Sequence, residues 1–218
     1  MSFPVITIDG PSASGKGTVA SRVAAALGFH YLDSGALYRV LALYAQQKQV
    51  AWDNEARLAL LAVRLPLSFE QGRACVDGQD CDDFIRGEEI GAGASQIAAL
   101  PAVRSALLQR QRDFRQAPGL VTDGRDMGSV VFPDATLKIF LTASAQERAQ
   151  RRYKQLIEKG QSANLARLQQ DIEARDARDA SRPVAPLRQE HDARLLDTTE
   201  LDIATAVAQV LAWYRALP

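Results

Sequence analysis

The sequence is poor in the residues that staple small secreted domains or build metal cages, with two cysteines and two histidines among 218 residues. A disulfide framework needs more thiols than that. The pair itself, Cys75 and Cys81, brackets Asp77-Gly78, a strong signal for a two-residue hairpin turn. That register sets Cys75 opposite Asp80 and Ala74 opposite Cys81, so the thiols point to opposite faces of the ribbon. They are read as reduced cysteines, and two thiols alone make a poor metal site. Neither His30 nor His191 lies in a motif, and both are read as packing or surface residues.

Long apolar runs are missing too, so no segment is expected to span a bilayer. Met1–Asp9 lacks a basic region and reaches an acid after a few apolar residues, which argues for a first strand rather than a signal peptide. Net charge is absent as well, because 26 Lys and Arg balance 26 Asp and Glu. Bulk electrostatics therefore favour neither nucleic acid nor a membrane surface, and any anion site must come from local clustering. These absences predict a cytoplasmic protein with no nucleic-acid and no membrane partner.

What is present suits a globular core, with 47% hydrophobic and 24% charged residues. Short β-rich runs at Val5–Asp9, Phe29–Asp33, Leu120–Asp123, Leu137–Leu141 and Arg194–Asp197 alternate with helical patterns. That alternation predicts an α/β fold with a central five-stranded parallel sheet covered by helices. Helices are expected from Lys16 to Leu27, closed by Gly28, and after Gly35, with Leu37, Val40, Leu41 and Tyr44 along one stripe. Asp53 can cap another helix running to about Val63, and Pro101 can open one running to about Gln116. Ser144 and Glu147 form a capping box for a helix to about Lys159, ended by Gly160. A partner helix spans about Asn164 to Ala180 before Pro183 and Pro186, and the last runs from about Asp202 to Leu217. Between them, Leu65–Gln71, Arg73–Val76 and Gln79–Phe84 read as short strands with turns at Gly72 and Asp77-Gly78. They predict a small antiparallel insertion that is not stable alone.

Chemistry concentrates in four places. Gly10-Pro11-Ser12-Ala13-Ser14-Gly15-Lys16-Gly17-Thr18 joins the first strand to the first helix. Glycines let successive backbone N–H groups face an anion at a helix N-terminus, and Lys16 adds a compact charge. The pattern G-x-x-x-x-G-K predicts a phosphate loop for a nucleoside triphosphate, although Gly17 stands where many such loops carry a metal-binding hydroxyl. Asp123-Gly124-Arg125-Asp126-Met127-Gly128 follows a strand at the edge where open α/β sheets bind ligands. Asp123 sits where a carboxylate could hold magnesium-bound water. Asp33-Ser34-Gly35-Ala36-Leu37-Tyr38-Arg39 enters a helix with a phosphate-accepting N-terminus and an arginine on the same face; a plain N-cap and a solvated charge would read the same way. Arginines 148, 151 and 152, then 175, 178 and 182, fall on one side of two successive helices. They could form a mobile flap that neutralises a transferring phosphoryl group, or could pair with Asp171, Asp176 and Asp179 as surface ion pairs. The lack of a histidine base suits a phosphate acceptor, which is already ionised near neutrality.

Together with Ser95-Gln96-Ile97-Ala98 and Pro101-Ala102-Val103-Arg104, these motifs resemble bacterial cytidylate kinases, in order and over essentially the whole chain. The resemblance implies a P-loop three-layer α/β/α kinase domain over 1–218, an inserted monophosphate-binding subdomain at 60–100 and a helical lid at 145–187. It implies transfer of the ATP γ-phosphoryl group to CMP, with dCMP as a further acceptor. ATP would lie on Gly10, Pro11, Ser12, Ala13, Ser14, Gly15, Lys16, Gly17 and Thr18. Ser34, Arg39 and Arg125 would hold the CMP phosphate. Ser95, Arg104 and Asp126 would meet the cytosine edge, with Arg175 and Asp179 near the sugar. Lys16, Arg125, Arg178 and Arg182 would be catalytic. Mg2+ would be held largely by phosphate oxygens and water, with Thr18 and Asp123 assisting. The resemblance also implies a monomer. Ala13-Ser14 stands where a Gly-Ala pair is expected, a departure between small residues. The rival readings are a kinase for UMP or AMP and a non-catalytic P-loop regulator. The absence of an Asn-Lys-x-Asp guanine-reading motif argues against a GTPase switch.

Overall fold

The computed structural model describes residues 3–70, 73–158 and 160–217. The turn predicted at Gly72, the strand end at Gln71 and the helix end at Lys159 lie outside the described residues. The chain divides into two compact units, one formed by 1–32 with 114–218 and the other by 33–113.

The first unit is built on the predicted parallel sheet. Its strands are β1 (Val5–Asp9), β2 (His30–Asp33), β6 (Leu120–Gly124), β7 (Leu137–Thr142) and β8 (Arg194–Asp197), in the order β2-β6-β1-β7-β8. β1 lies at the centre, pairing in parallel with β6 (Ile6 opposite Val121) and with β7 (Ile6 opposite Leu137). Every residue of β1 is buried, as expected of a parallel strand covered on both faces. Helix α1 (Lys16–Leu27) packs Val19, Ala20 and Val23 into the core with Ile6, Ile8, Val121, Ile139 and Leu141. Gly28 ends it at φ 66°, where its amide reaches the carbonyl oxygens of Ala24 and Ala25. Ala206 and Val210 of α9 (Ile203–Arg215) join the same core, and Asp202 caps that helix by accepting from the Thr205 amide.

Two arginine-bearing helices complete this unit, α7 (Ala145–Glu158) and α8 (Leu165–Ala180). The Ser144 hydroxyl oxygen accepts from the Glu147 amide at 3.2 Å as an N-cap, but the other half of the expected capping box does not form. The Ser144 amide donates instead to the Thr199 hydroxyl at 3.0 Å, and Glu147 holds Arg151. Asn164 caps α8.

The second unit holds its own core, in which Val40, Leu41, Leu58, Ile85, Ile97, Val103 and Leu107 are buried. Helices α2 (Ser34–Gln47), α3 (Glu55–Val63) and α6 (Pro101–Arg112) contribute to it, beside a three-stranded sheet. The strands are β3 (Leu67–Glu70), β4 (Arg73–Val76) and β5 (Gln79–Asp80). Cys75 faces Asp80 as predicted, and both cysteines are buried and unbridged.

Several elements differ from the sequence reading. Asn54, not Asp53, caps α3, because its side chain accepts from the Arg57 amide at 3.2 Å. The strand expected to reach Phe84 stops at Asp80 and becomes the short helix α4 (Asp82–Ile85). There Asp80 accepts from the Asp82 amide at 3.0 Å, and Asp82 and Asp83 favour a helix N-terminus. Helix α6 ends at Arg112, four residues before the expected end at Gln116. Helix α5 (Glu88–Ile97) was not anticipated, since Gly91 and Gly93 weaken a helical signal. Both glycines make room for neighbours: a Cβ at 93 would lie 2.5 Å from the Trp52 ring, and one at 91 would lie 3.0 Å from Arg39.

Candidate active site

The phosphate loop closes the carboxyl end of β1. Gly10 is required there by packing, because a Cβ would fall 1.9 Å from the Leu141 carbonyl oxygen. The Pro11 carbonyl oxygen accepts from the Ser14 hydroxyl at 3.0 Å and from Lys16 Nζ at 3.2 Å, which folds the loop back on itself. Ala13 adopts φ 55° and Gly15 φ 89°. A left-handed backbone at Ala13 explains why glycine is expected at that position, and alanine there carries strain of about 1–2 kcal/mol. Gly17 and Thr18 lie in the first turn of α1, where Thr18 is exposed.

Beside the loop, Asp123 lies in the fully buried strand β6 and accepts from the Tyr31 hydroxyl at 2.7 Å. A Cβ on Gly17 would stand 3.8 Å from either Asp123 carboxylate oxygen, so this carboxylate faces the first turn of α1. Among the described residues, no three His, Cys, Asp or Glu side chains cluster as a ready-made metal cage. The donor set present suits a hard cation that arrives already bound to phosphate and water.

After β6 the chain makes a short π-helical turn, Met127–Val131, which had no sequence signal. Asp9 organises it: its two carboxylate oxygens accept from the Met127 amide at 2.9 Å and the Gly128 amide at 2.8 Å. Burial pushes the Asp9 carboxyl up to about 7, against the lowering effect of those two bonds, with Asp126 adding repulsion. An acid closing a buried strand was the one hint of this role in the sequence. Asp126 itself is buried, 5% exposed, immediately before the turn.

An ion cluster joins α8 to this region. Arg125 Nε donates to Asp179 at 2.7 Å, and Arg182 pairs with the other oxygen of the same carboxylate. Asp179 is 1% exposed. Burial would raise its carboxyl, but Arg125, Arg182 and Arg175 outweigh burial and hold it below the usual carboxylate range. Asp176 forms a 2.6 Å pair with Arg148, and only the exposed Asp171, 4.0 Å from Arg167, matches the surface-pair alternative. Arg178 is exposed on α8.

The remaining predicted positions belong to the 33–113 unit. Ser34 begins α2 and is buried, yet the cap is Asp33, whose side chain accepts from the Ala36 amide at 3.0 Å. Arg39 donates to the Ile85 carbonyl oxygen at 2.7 Å and packs over Gly91. Ser95 and Arg104 are buried, and Arg104 donates to the Ala98 carbonyl oxygen at 3.2 Å.

The sequence model described as Cytidylate kinase matches residues 6–216 of this chain. The chain belongs to the cytidylate kinase family. It is 71% identical to a cytidylate kinase of Chromobacterium violaceum, over 99% of this chain and 97% of that protein. A cytidylate kinase of Burkholderia pseudomallei strain 1106a is 59% identical, covering 98% of this chain and 94% of its own. The fold also matches a gluconokinase from Sinorhizobium meliloti 1021, with TM-score 0.51 and 16% identity over 98% of this chain and 93% of that one. An uncharacterized protein from Eubacterium ventriosum matches with TM-score 0.55 at 10% identity, covering 98% of this chain and 99% of that chain. These two likenesses show the fold alone, while membership of the cytidylate kinase family rests on the sequence.

Proposed function

We propose that the protein transfers the γ-phosphoryl group of ATP to CMP, and also to dCMP, giving ADP and the corresponding diphosphate. The observation that carries this reading is the match to cytidylate kinases across nearly the whole chain, phosphate loop and arginine cluster included. The acceptor is itself a phosphate, ionised near neutrality, so no strong general base is needed. Positioning and charge neutralisation then supply the catalysis.

In this reading the amides of 10–18 and Lys16 hold the ATP phosphates. Ser34, Arg39 and Arg125 receive the CMP phosphate. Asp126 accepts from the cytosine amino group, while Ser95 and Arg104 donate to its acceptor atoms. Asp179, kept ionised by its arginines, accepts from a sugar hydroxyl beside Arg175. Its grip on Arg125 and Arg182 stores both guanidinium groups in place until a phosphate competes for them. Arg178 joins them as the 145–187 segment acts as a lid, and the 60–100 segment serves the monophosphate. Magnesium, when bound with ATP, neutralises phosphate charge; Asp123 and Thr18 are the groups that would meet its waters. We extend the reading to a monomer in the cytoplasm.

A coupled ADP-release assay over CMP, dCMP, UMP and AMP, with ATP and magnesium, tests the assignment. CMP should be phosphorylated most efficiently; a preference for UMP or AMP would overturn it. Asp126→Ala should narrow the gap between CMP and UMP while leaving ATP affinity unchanged.

A further inference from the structure

The arginines of α7 were read as flap residues or as partners of nearby aspartates; Arg148 does pair with Asp176, but both it and Arg151 also reach the backbone of the phosphate loop. Arg148 is buried, 5% exposed, and all three of its donor nitrogens are spoken for. Its Nε donates to the Ala143 carbonyl oxygen at 2.9 Å, one terminal nitrogen to the Ser12 carbonyl oxygen at 3.1 Å, and the other pairs with Asp176 at 2.6 Å. Arg151 donates to the Ser14 carbonyl oxygen at 3.3 Å and to the Thr198 hydroxyl at 3.2 Å, while Glu147 holds its Nε at 2.9 Å. The Thr198 hydroxyl lies 3.4 Å from the same Ser14 oxygen.

We propose that Arg148 and Arg151 are positioning residues that set the peptide planes of the phosphate loop and thereby aim its amides at the nucleotide. In a trans peptide the carbonyl and the following N–H point in opposite directions. A guanidinium drawing the Ser12 carbonyl outward turns the Ala13 N–H inward. Arg151 does the same for the Ser14–Gly15 peptide and the Gly15 N–H. Each arginine thus governs one amide, and neither needs to touch phosphate. The arrangement matters most at position 13, where a non-glycine residue held at φ 55° would otherwise relax. The proposal rests on ATP occupying this loop.

The test is ADP titration followed by amide NMR and calorimetry on the full chain, for the parent, Arg148→Lys and Arg151→Lys. Lysine retains the charge but cannot reproduce the guanidinium fork. In the parent, ADP should move the Ala13 and Gly15 amide protons downfield. Arg148→Lys should abolish the Ala13 shift and retain that of Gly15, and Arg151→Lys should do the reverse. Each should weaken ADP about tenfold or more, the usual worth of an amide bond to a charged group. A parent that fails to bind ADP would sink the ATP-site reading itself. A parent that binds, with either folded variant binding ADP equally well or losing both amide shifts together, would overturn the positioning roles alone. Should one variant not fold, the other answers the question through its own amide.

Discussion

Arg73 in one unit and Arg125 in the other show arginine doing opposite work. In the 33–113 unit, Arg73 reaches from β4 to Asp80 and Asp83 in full view of solvent, with side-chain exposures of 47%, 48% and 77%. In the other unit, Asp179 is 1% exposed between Arg125 and Arg182, and Arg148 is 5% exposed against Ser12 and Asp176. Exposed pairs are screened and add little to stability, whereas the buried Asp179 carboxylate stays ionised because arginines surround it. Burial, not the number of ion pairs, separates the charges the fold must compensate from those that decorate a surface.

The contrast can be broken most sharply at the loop. Lys16→Ala should cut turnover about a thousandfold while leaving the melting temperature near that of the parent, as expected of a cation used mainly in the transition state. Comparable loss in the melting temperature with unaffected turnover would refute that role. Asp179→Ala should come next, destabilising by about 3 kcal/mol in a urea titration because it leaves neighbouring guanidinium groups without their carboxylate. In the 33–113 unit the largest effect is steric rather than electrostatic. Gly93→Ala, with its Cβ 2.5 Å from the Trp52 ring, should cost about 1–3 kcal/mol by overpacking.

pH offers a finer version of the comparison, since two buried carboxylates of the same unit pull stability in opposite directions. Asp179 is held below its unfolded value of 3.8, so its contribution is present above that pH and is lost on further acidification. Asp9 is raised from 3.8 to about 7, so its protonated form favours the folded state, and stability declines as pH rises through that window. Asp9→Asn should flatten the slope of unfolding free energy between about pH 4 and 7; an unchanged slope would locate the effect elsewhere. The smallest effect belongs to the exposed cluster, where Arg73→Ala should leave the melting temperature within experimental scatter.

Much of this could be read from the sequence because it is local. The glycine loop, Gly28 as a helix stop, the N-cap at Ser144 and the hairpin at Asp77-Gly78 each write their geometry into a few adjacent residues. The parallel strands were legible for the same reason, as short apolar runs ending in Asp9, Asp123 and Asp197. What escaped depends on residues distant in the chain. Helix α5 tolerates its glycines because Arg39 and Trp52 fill the space above them. Asp9 acquires its role from amides 118 and 119 positions away. Arg148 and Arg151 looked like the other arginines that follow until the carbonyl oxygens of Ser12 and Ser14 came within their reach.

Gly10 shows how such crowding should be written into the history of the chain. Its lack of a side chain is already imposed by the backbone of β7. A descendant freed from selection for phosphoryl transfer would therefore keep this glycine while Lys16 drifted. Neutral-drift libraries selected only for soluble expression should separate the two positions within the same loop.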